Sequence, residues 1–230
     1  MENILVVIPA RGGSKGVPKK NIKLLNGKPL IYYSIDVARN ITKDENICVT
    51  TDDDEIIECV KEYNLKVPFK RPKELATDHA GTNEVILHAL DFYEKQGKII
   101  TCIVLLQPTS PFRKPEFIQE AISLYEPNID MVVSVKETAS NPYYNCFEEN
   151  KDGYLYISKG DGTIERRQDA PKVYEFNGSI YIINPQSLKK KGLAHFTKIK
   201  KYEMDNLYSI DIDTMFDWKI AELTIKEHLI

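Results

Sequence analysis

Apolar residues along this chain fall into two alternating rhythms. A continuous run from Ile4 to Pro9 reads as a strand buried on both faces. After a glycine-rich stretch, Pro29 to Asn40 places Leu30, Ile31, Ile35, Val37 and Ala38 close to helical spacing, which predicts a helix packed back on that strand. Ile47 to Thr50 and Asp54 to Asn64 repeat the unit, the helix beginning in a run of aspartates that suits an N-terminus. Thr82 to Glu94 carries Val85, Ile86, Ala89, Leu90 and Tyr93 on one face of a further helix. Ile99 to Leu106 reads as a strand, Pro115 to Tyr125 as a helix and Met131 to Val135 as a strand. This alternation predicts an α/β fold with a Rossmann-like, mostly parallel twisted sheet.

The rhythm breaks between Glu137 and Glu175, where Asn, Pro, Tyr, Gly and Asp cluster and short alternating stretches such as Tyr154 to Ile157 appear. The segment reads as an excursion of β-ribbon that packs on a partner subunit, or as a long surface loop. The pattern resumes with a strand from Ser179 to Ile183 and ends in a helix from Met215. The expectation is a single domain over residues 1–230, with 137–175 as a dimerisation insertion. Hydrophobic residues make up 42% of the chain, charged residues 28%, and the net charge is −3. That balance excludes wholesale disorder and a general nucleic-acid binder, so any anion site must be local. Cys48, Cys59, Cys102 and Cys146 lack CxxC spacing, as expected of reduced structural thiols. No leader pattern and no apolar run near the ~18 residues of a membrane span is present, so the expected location is the cytoplasm, with no membrane partner.

Chemistry concentrates first in Pro9-Ala10-Arg11-Gly12-Gly13-Ser14-Lys15-Gly16-Val17-Pro18-Lys19-Lys20-Asn21, directly after the first strand, where α/β sheets bind ligands. Glycines let backbone N–H groups close around phosphate oxygens, and Arg11, Lys15 and Lys20 supply charge for a polyanion. The spelling is neither a P-loop nor GxGxxG, and a solvated surface turn is the bland alternative. Asp211 and Asp213 stand two apart after Tyr208-Ser209-Ile210. On an extended backbone both carboxylates project to one face, which suits Mg²⁺ shared with phosphate oxygens. The alternative is that this pair caps the last helix. Asp52, Asp53 and Asp54 are better read as a helix start than as a metal site.

The string IPARGGSKGVPKKNIKLLNGKPLI resembles the signature of the N-acylneuraminate cytidylyltransferase family. Leu106 to Arg113 (LQPTSPFR), Arg166-Arg167-Gln168-Asp169, Asn177 to Tyr181 (NGSIY), and Ile210 to Asp213 with Asp217-Trp218 and Ala221-Glu222 resemble its later blocks in the same order. The resemblance implies a nucleotidyltransferase-type fold and a homodimer. The reaction would take a cytidylyl group from CTP to an acidic nine-carbon sugar and release pyrophosphate. It places Ala10, Arg11, Gly12, Gly13, Ser14 and Asn21 on the nucleotide with Lys15 and Lys20 at the phosphates, and Arg71 and Thr82 near the cytosine. Gln107, one of Arg166 and Arg167, and Asn177-Gly178 would meet the sugar acid, although Asn177-Gly178 also suits a plain turn and an exposed arginine is common.

The expected catalytic set is Arg11, Lys15, Lys20 and Asp211, with Asp211 and Asp213 on Mg²⁺. No histidine is assigned to catalysis, His79 beside the expected base site included. A synthetase for the eight-carbon acid Kdo, a glycosyltransferase using Asp211-Ile212-Asp213, and a non-catalytic sensor are the rival readings.

Overall fold

The computed structural model describes residues 3–77 and 80–230. In chain order its strands and helices begin with β1 (Ile4–Pro9), a two-residue hairpin of β2 (Leu24–Leu25) and β3 (Lys28–Pro29), α1 (Leu30–Arg39), β4 (Ile47–Thr50) and α2 (Asp54–Glu62). There follow α3 (Thr82–Lys95), β5 (Cys102–Leu106), α4 (Pro115–Ser123), β6 (Met131–Glu137), β7 (Phe147–Glu149) and β8 (Leu155–Ile157). The last are β9 (Tyr174–Ile183), α5 (Pro185–Lys191), β10 (Ile199–Glu203) and α6 (Met215–Lys226). The main sheet runs β10-β6-β9-β5-β1-β4. β1 pairs in parallel with β4 and β5, and β10 with β6, whereas β9 is antiparallel to both β5 and β6. The expected mostly parallel α/β sheet is therefore present, with one reversed strand inserted in its middle.

Alternation along β1 divides the core. Ile4, Val6 and Ile8 face a cluster shared with Ile31 and Ile35 of α1, Ile56 of α2 and Ile118 of α4. Leu5 and Val7 face another, shared with Ile86 and Leu90 of α3 and Leu188 of α5. Both sides of β1 are thus covered, which is why it reads as an unbroken apolar run. A third cluster joins Val17, Leu25, Leu30, Phe112 and Ile212 to Trp218 and Ala221 of α6. It ties the glycine-rich loop and the aspartate segment to one helix.

Three departures from the sequence expectation have physical causes. β5 starts at Cys102 rather than Ile99, which is 75% exposed. β10 and α5 went unread, because β10 is an exposed Ile-Lys-Lys-Tyr-Glu edge strand and α5 ends in three lysines. β9 begins at Tyr174, five residues early, where it pairs with the end of β6 at Glu137. Within the excursion β7 and β8 form a short antiparallel hairpin, and the remainder is loop and turn.

Between the pairs Val133↔Tyr181 and Val135↔Phe176, Ser134 of β6 stands opposite four residues of β9, Asn177 to Ile180. Such a bulge re-aims side chains at a sheet edge. Here Ser134 Oγ accepts from Ile180 N–H at 2.7 Å and lies 2.6 Å from Asn177 Oδ1. A second buried polar anchor is Asp130, whose carboxylate accepts from the N–H groups of Thr197 and Lys198, both at 3.0 Å, from Ser187 Oγ at 2.7 Å and from Lys191 Nζ at 2.9 Å. It docks α5 and the start of β10 onto the sheet.

The Lys198 N–H and its companions hold the Asp130 carboxyl well below the ordinary range. A depressed carboxylate contributes stability above its unfolded pKa of ~3.9 and loses it as pH falls further. Asp130→Asn is expected to cost about 3 kcal/mol at pH 7 and to show a smaller further loss than wild type on going to pH 3. Urea unfolding of both proteins at the two pH values checks this.

Candidate functional site

The loop after β1, the ends of β4 and β5, and the segment before α6 meet at one edge of the sheet. They enclose a cleft of about 440 Å³. On its first wall stand Arg11, Ser14, Lys15, Gly16, Lys20 and Asn21. The loop is held in shape from behind. Ala10 is fully buried and donates its N–H to Thr50 O at 3.0 Å, Gly12 N–H donates to Asp52 Oδ1 at 3.1 Å, and Asn21 Nδ2 donates to Arg11 O at 3.0 Å. Ala10 and Gly12 do not line the cleft themselves, nor does Gly13, around which space is open. Asp52 is a loop-supporting residue that spelling alone did not reveal, since the aspartate run reads as a helix start. Asp53 does serve that purpose, its side chain accepting from Glu55 and Ile56 N–H.

The second wall comes from Arg71, Leu75, Thr77, Ala80, Thr82 and Val85. Arg71 is 5% exposed and clamps the end of β4 through Thr50 Oγ1, 3.0 Å from its Nε, and the Thr50 carbonyl. Burial pulls its guanidinium down, with Asp52 opposing that effect. Thr82 is the first residue of α3. His79 and Asp78 lie outside the described residues.

Gln107, Pro108 and Thr109, directly after β5, form the floor with Asp213 beside them. Ile212 N–H donates to Thr109 O at 2.8 Å, and Ile212 is buried in the third core cluster. Asp211 and Asp213, on either side of it, lie outside any helix or strand. Helix α6 is capped by Thr214, whose side chain accepts from Asp217 N–H while Asp217 accepts from Thr214 N–H in a capping box. Capping therefore does not consume the aspartate pair. Lys20 Nζ reaches Ile212 O at 2.6 Å and Asp213 Oδ1 at 3.1 Å, joining the cationic loop to the acidic segment. The two are closer still at Gly16, where a Cβ would fall 2.0 Å from the Asp213 carbonyl oxygen.

Asp211 stands behind the floor. Burial pushes its carboxyl up from the ordinary range and Asp213 adds to this, while a Thr109 hydrogen bond, Lys20 and Arg113 oppose it. Its Oδ1 is buried without a hydrogen-bond partner, and an unpartnered buried carboxylate oxygen is costly unless a cation or donor completes it. With Asp213 alongside, this donor set fits a hard divalent cation that takes its other ligands from phosphate and water.

Gly178, at φ 73°, lies against Asp211. A Cβ there would sit 3.0 Å from Asp211 Oδ2 and 3.2 Å from Ser110 Oγ. Asn177 and Gly178 lie inside the bulged strand β9, not in a turn. The Asn177 side chain is turned into the protein, with Nδ2 donating to Ser209 Oγ at 2.9 Å and Oδ1 accepting from Ser134 Oγ and Ser179 N–H. Arg166 and Arg167 are exposed on the excursion and do not line the cleft, and Arg166 pairs with Asp169 at 2.7 Å. The chain thus gathers Arg11, Ser14, Lys15, Lys20, Asn21, Arg71, Thr82, Gln107 and Asp213 in the cleft wall, with Asp211 and Gly178 behind it.

A family model described as Cytidylyltransferase matches residues 5–228. The chain is 35% identical to the CMP-N,N'-diacetyllegionaminic acid synthase of Legionella pneumophila, over 95% of this chain and 94% of that one. It is 29% identical to the pseudaminic acid cytidylyltransferase of Campylobacter jejuni, over 96% of each. It is also 35% identical to the N-acylneuraminate cytidylyltransferase of Streptococcus agalactiae, covering 93% of this chain but 51% of that longer protein. Among solved structures, a CMP:2-keto-3-deoxy-manno-octonic acid synthetase complexed with CTP superposes with a TM-score of 0.69 at 16% identity, over 99% of this chain and 100% of that chain. That likeness is one of fold.

Because a Cβ at Gly16 would collide with the backbone of Asp213, Gly16→Ala must part the cationic loop from the acidic segment. Titration calorimetry is expected to show at least ~10-fold weaker CTP binding, the scale set by an ångström of misplacement, with only a modest fall in melting temperature.

Proposed function

This chain belongs to the cytidylyltransferase family, and from that premise we propose that it makes a CMP-activated nonulosonic acid from CTP and the free nine-carbon sugar acid. The observation that carries the proposal is the cleft itself. A loop bearing Arg11, Lys15 and Lys20 meets the Asp211–Asp213 segment at a cleft of about 440 Å³, within the size range of small-molecule sites. The names of its relatives in Legionella pneumophila, Campylobacter jejuni and Streptococcus agalactiae support an acceptor of the nonulosonic class. Family membership speaks against the glycosyltransferase rival.

In this mechanism the anomeric hydroxyl oxygen of the acid attacks the α-phosphorus in line, the bond from that phosphorus to the bridging oxygen breaks, and pyrophosphate departs. The hydroxyl proton passes to solvent. Catalysis then rests on placement and charge. Arg11, Lys15 and Lys20 neutralise the triphosphate and the leaving pyrophosphate. The N–H groups of Gly12 and Ser14 are used within the protein, on Asp52 Oδ1 and Gly12 O, so the turn serves to fix the backbone that carries Arg11 and Lys15. Arg71 and Thr82 bound the base and Gln107 the sugar.

Asp211 and Asp213 would hold Mg²⁺, which when bound neutralises phosphate charge and makes the attacking hydroxyl more acidic. Lys20 now spans Ile212 O and Asp213, so it is placed to pass from carboxylate to phosphate when the nucleotide arrives.

A homodimer built on the excursion completes the proposal. Phe147, Tyr154 and Leu155 of the short hairpin and Phe176 near the start of β9 are each more than half exposed, an apolar display that a partner subunit would cover. Arg166 and Arg167 ride on the same excursion. Action on free CTP and four unpaired cysteines suit the cytoplasm. Among the described residues no helix is long and apolar enough to cross a membrane.

Pyrophosphate release is expected with Mg²⁺, CTP and one of N-acetylneuraminic, legionaminic and pseudaminic acids, with Kdo as the comparison; release with none of the three sinks the proposal. Asp211→Asn and Asp213→Asn are each expected to lower kcat roughly 100-fold or more with the fold intact by circular dichroism. Phe147→Glu combined with Leu155→Glu is expected to give a monomer by sedimentation velocity, and an unchanged dimer would move the interface elsewhere.

A further inference from the structure

Arg113 is the least expected charge in the molecule. It is 4% exposed, and burial pulls its guanidinium down to about 9, with Asp211 opposing the effect, so it remains a cation at neutral pH. A buried cation is tolerated only where hydrogen bonds and charge compensate it. Here Nη2 donates to the carbonyls of Gln107 and Ser110, Nη1 to Ser34 Oγ at 3.2 Å, and Nε to Ser179 Oγ at 3.3 Å.

The two carbonyls bracket Pro108 and Thr109. Gln107, Pro108 and Thr109 are the cleft floor, and the Thr109 carbonyl in turn receives Ile212 N–H at 2.8 Å. Ser110 N–H donates to Gln107 O at 3.3 Å and Ser110 Oγ lies 3.4 Å from Asn177 O, so the same turn touches the β9 bulge. Arg113 itself does not line the cleft.

We propose that Arg113 is a positioning residue for the acceptor side of the reaction, fixing the Gln107–Ser110 turn and, through Thr109, the backbone beside Asp211. The planar guanidinium suits this because its donors diverge in a fixed fork, so one group sets two carbonyls and two hydroxyls at once. Arg11, Lys15 and Thr82 belong to other walls and do not depend on the fork. The enzymatic half of this inference rests on the function proposed above, since it takes an acid to lie against Gln107. The structural half does not.

The test compares wild type, Arg113→Met and the milder Ser179→Ala, which removes one of the four acceptors. Native-state hydrogen exchange is expected to accelerate at the Ser110 and Ile212 amides by ~10-fold or more in Arg113→Met and by ~2- to 5-fold in Ser179→Ala. Amides of β1 and β5 should keep their protection. With CTP and whichever of N-acetylneuraminic, legionaminic and pseudaminic acids the wild type turns over, both variants should raise the KM for the acid and lower kcat. The KM for CTP should stay within about twofold.

Unchanged exchange at both amides, or acceleration shared equally with β1 and β5 in Ser179→Ala, overturns the positioning role. So does a loss of CTP affinity as large as the loss for the acid. If Arg113→Met does not fold, Ser179→Ala decides the question by the same criteria. If the wild type uses none of the acids, the proposed function fails and the exchange measurement alone settles this inference.

Discussion

A positive charge sealed beneath a polar cleft constrains everything built above it. Withdrawing the Arg113 guanidinium from water is costly, and the cost is offset only if carbonyls and hydroxyls converge on it from several elements. The end of β5, α1 through Ser34, and β9 through Ser179 all contribute. The turn after β5 must consequently face its carbonyls inward, which leaves the Gln107 and Thr109 side chains to shape the floor. The bulge in β9 follows the same logic. Four residues stand against Ser134 alone, and Asn177 spends its amide on Ser134, Ser179 and Ser209 to hold that arch in place. The hydrogen-bonded groups around Arg113 and Asn177 form one connected set, and such sets specify a single arrangement, while Asp211 Oδ1 beside them is left without a partner.

Apolar packing performs the complementary task. The third core cluster clamps Val17 from the cationic loop and Ile212 from the acidic segment between Leu25, Phe112 and Trp218. Side chains suited to phosphate and side chains suited to a divalent cation are therefore positioned by neighbours that are themselves buried hydrocarbon. Gly16 against the Asp213 carbonyl sets how near the two segments come, a spacing that no side chain could occupy.

Legibility in the sequence followed burial. β1, β4 and β6 were plain because both faces of each are covered, which forces nearly continuous apolar runs. β10 was hidden because its lysines face water at a sheet edge, where charge guards against pairing with other chains. The cationic loop announced itself through glycines and lysines after a buried strand, and Asp211 and Asp213 through their spacing. Arg113 stood in a recognised block without revealing its task, because an arginine in isolation reads as surface. Asn177 shows what spacing leaves out: an amide suits a sugar, and in this fold the side chain is also turned into the protein interior, on Ser134, Ser179 and Ser209. Arg166 and Arg167 could not be placed from spacing, since the excursion carrying them has few apolar anchors and lies away from the cleft of its own chain.

The position of β9 has a consequence for how this protein comes into being. β5 and β6 never pair with each other; the slot between them is filled by a strand that begins 37 residues after β6 ends, at Tyr174 against Glu137. While a ribosome is still extending the chain, the half-sheet of β4, β1 and β5 and the nascent β6 each present an open edge. Only β9, well after β6 in the chain, brings the wedge that joins them, followed by the aspartates beside Lys20. Non-local closure of this kind is slow and leaves sticky intermediates. Birth of the enzyme is thus a late, concerted event, and cells that make it in quantity would lean on chaperones for the interval before the slot closes.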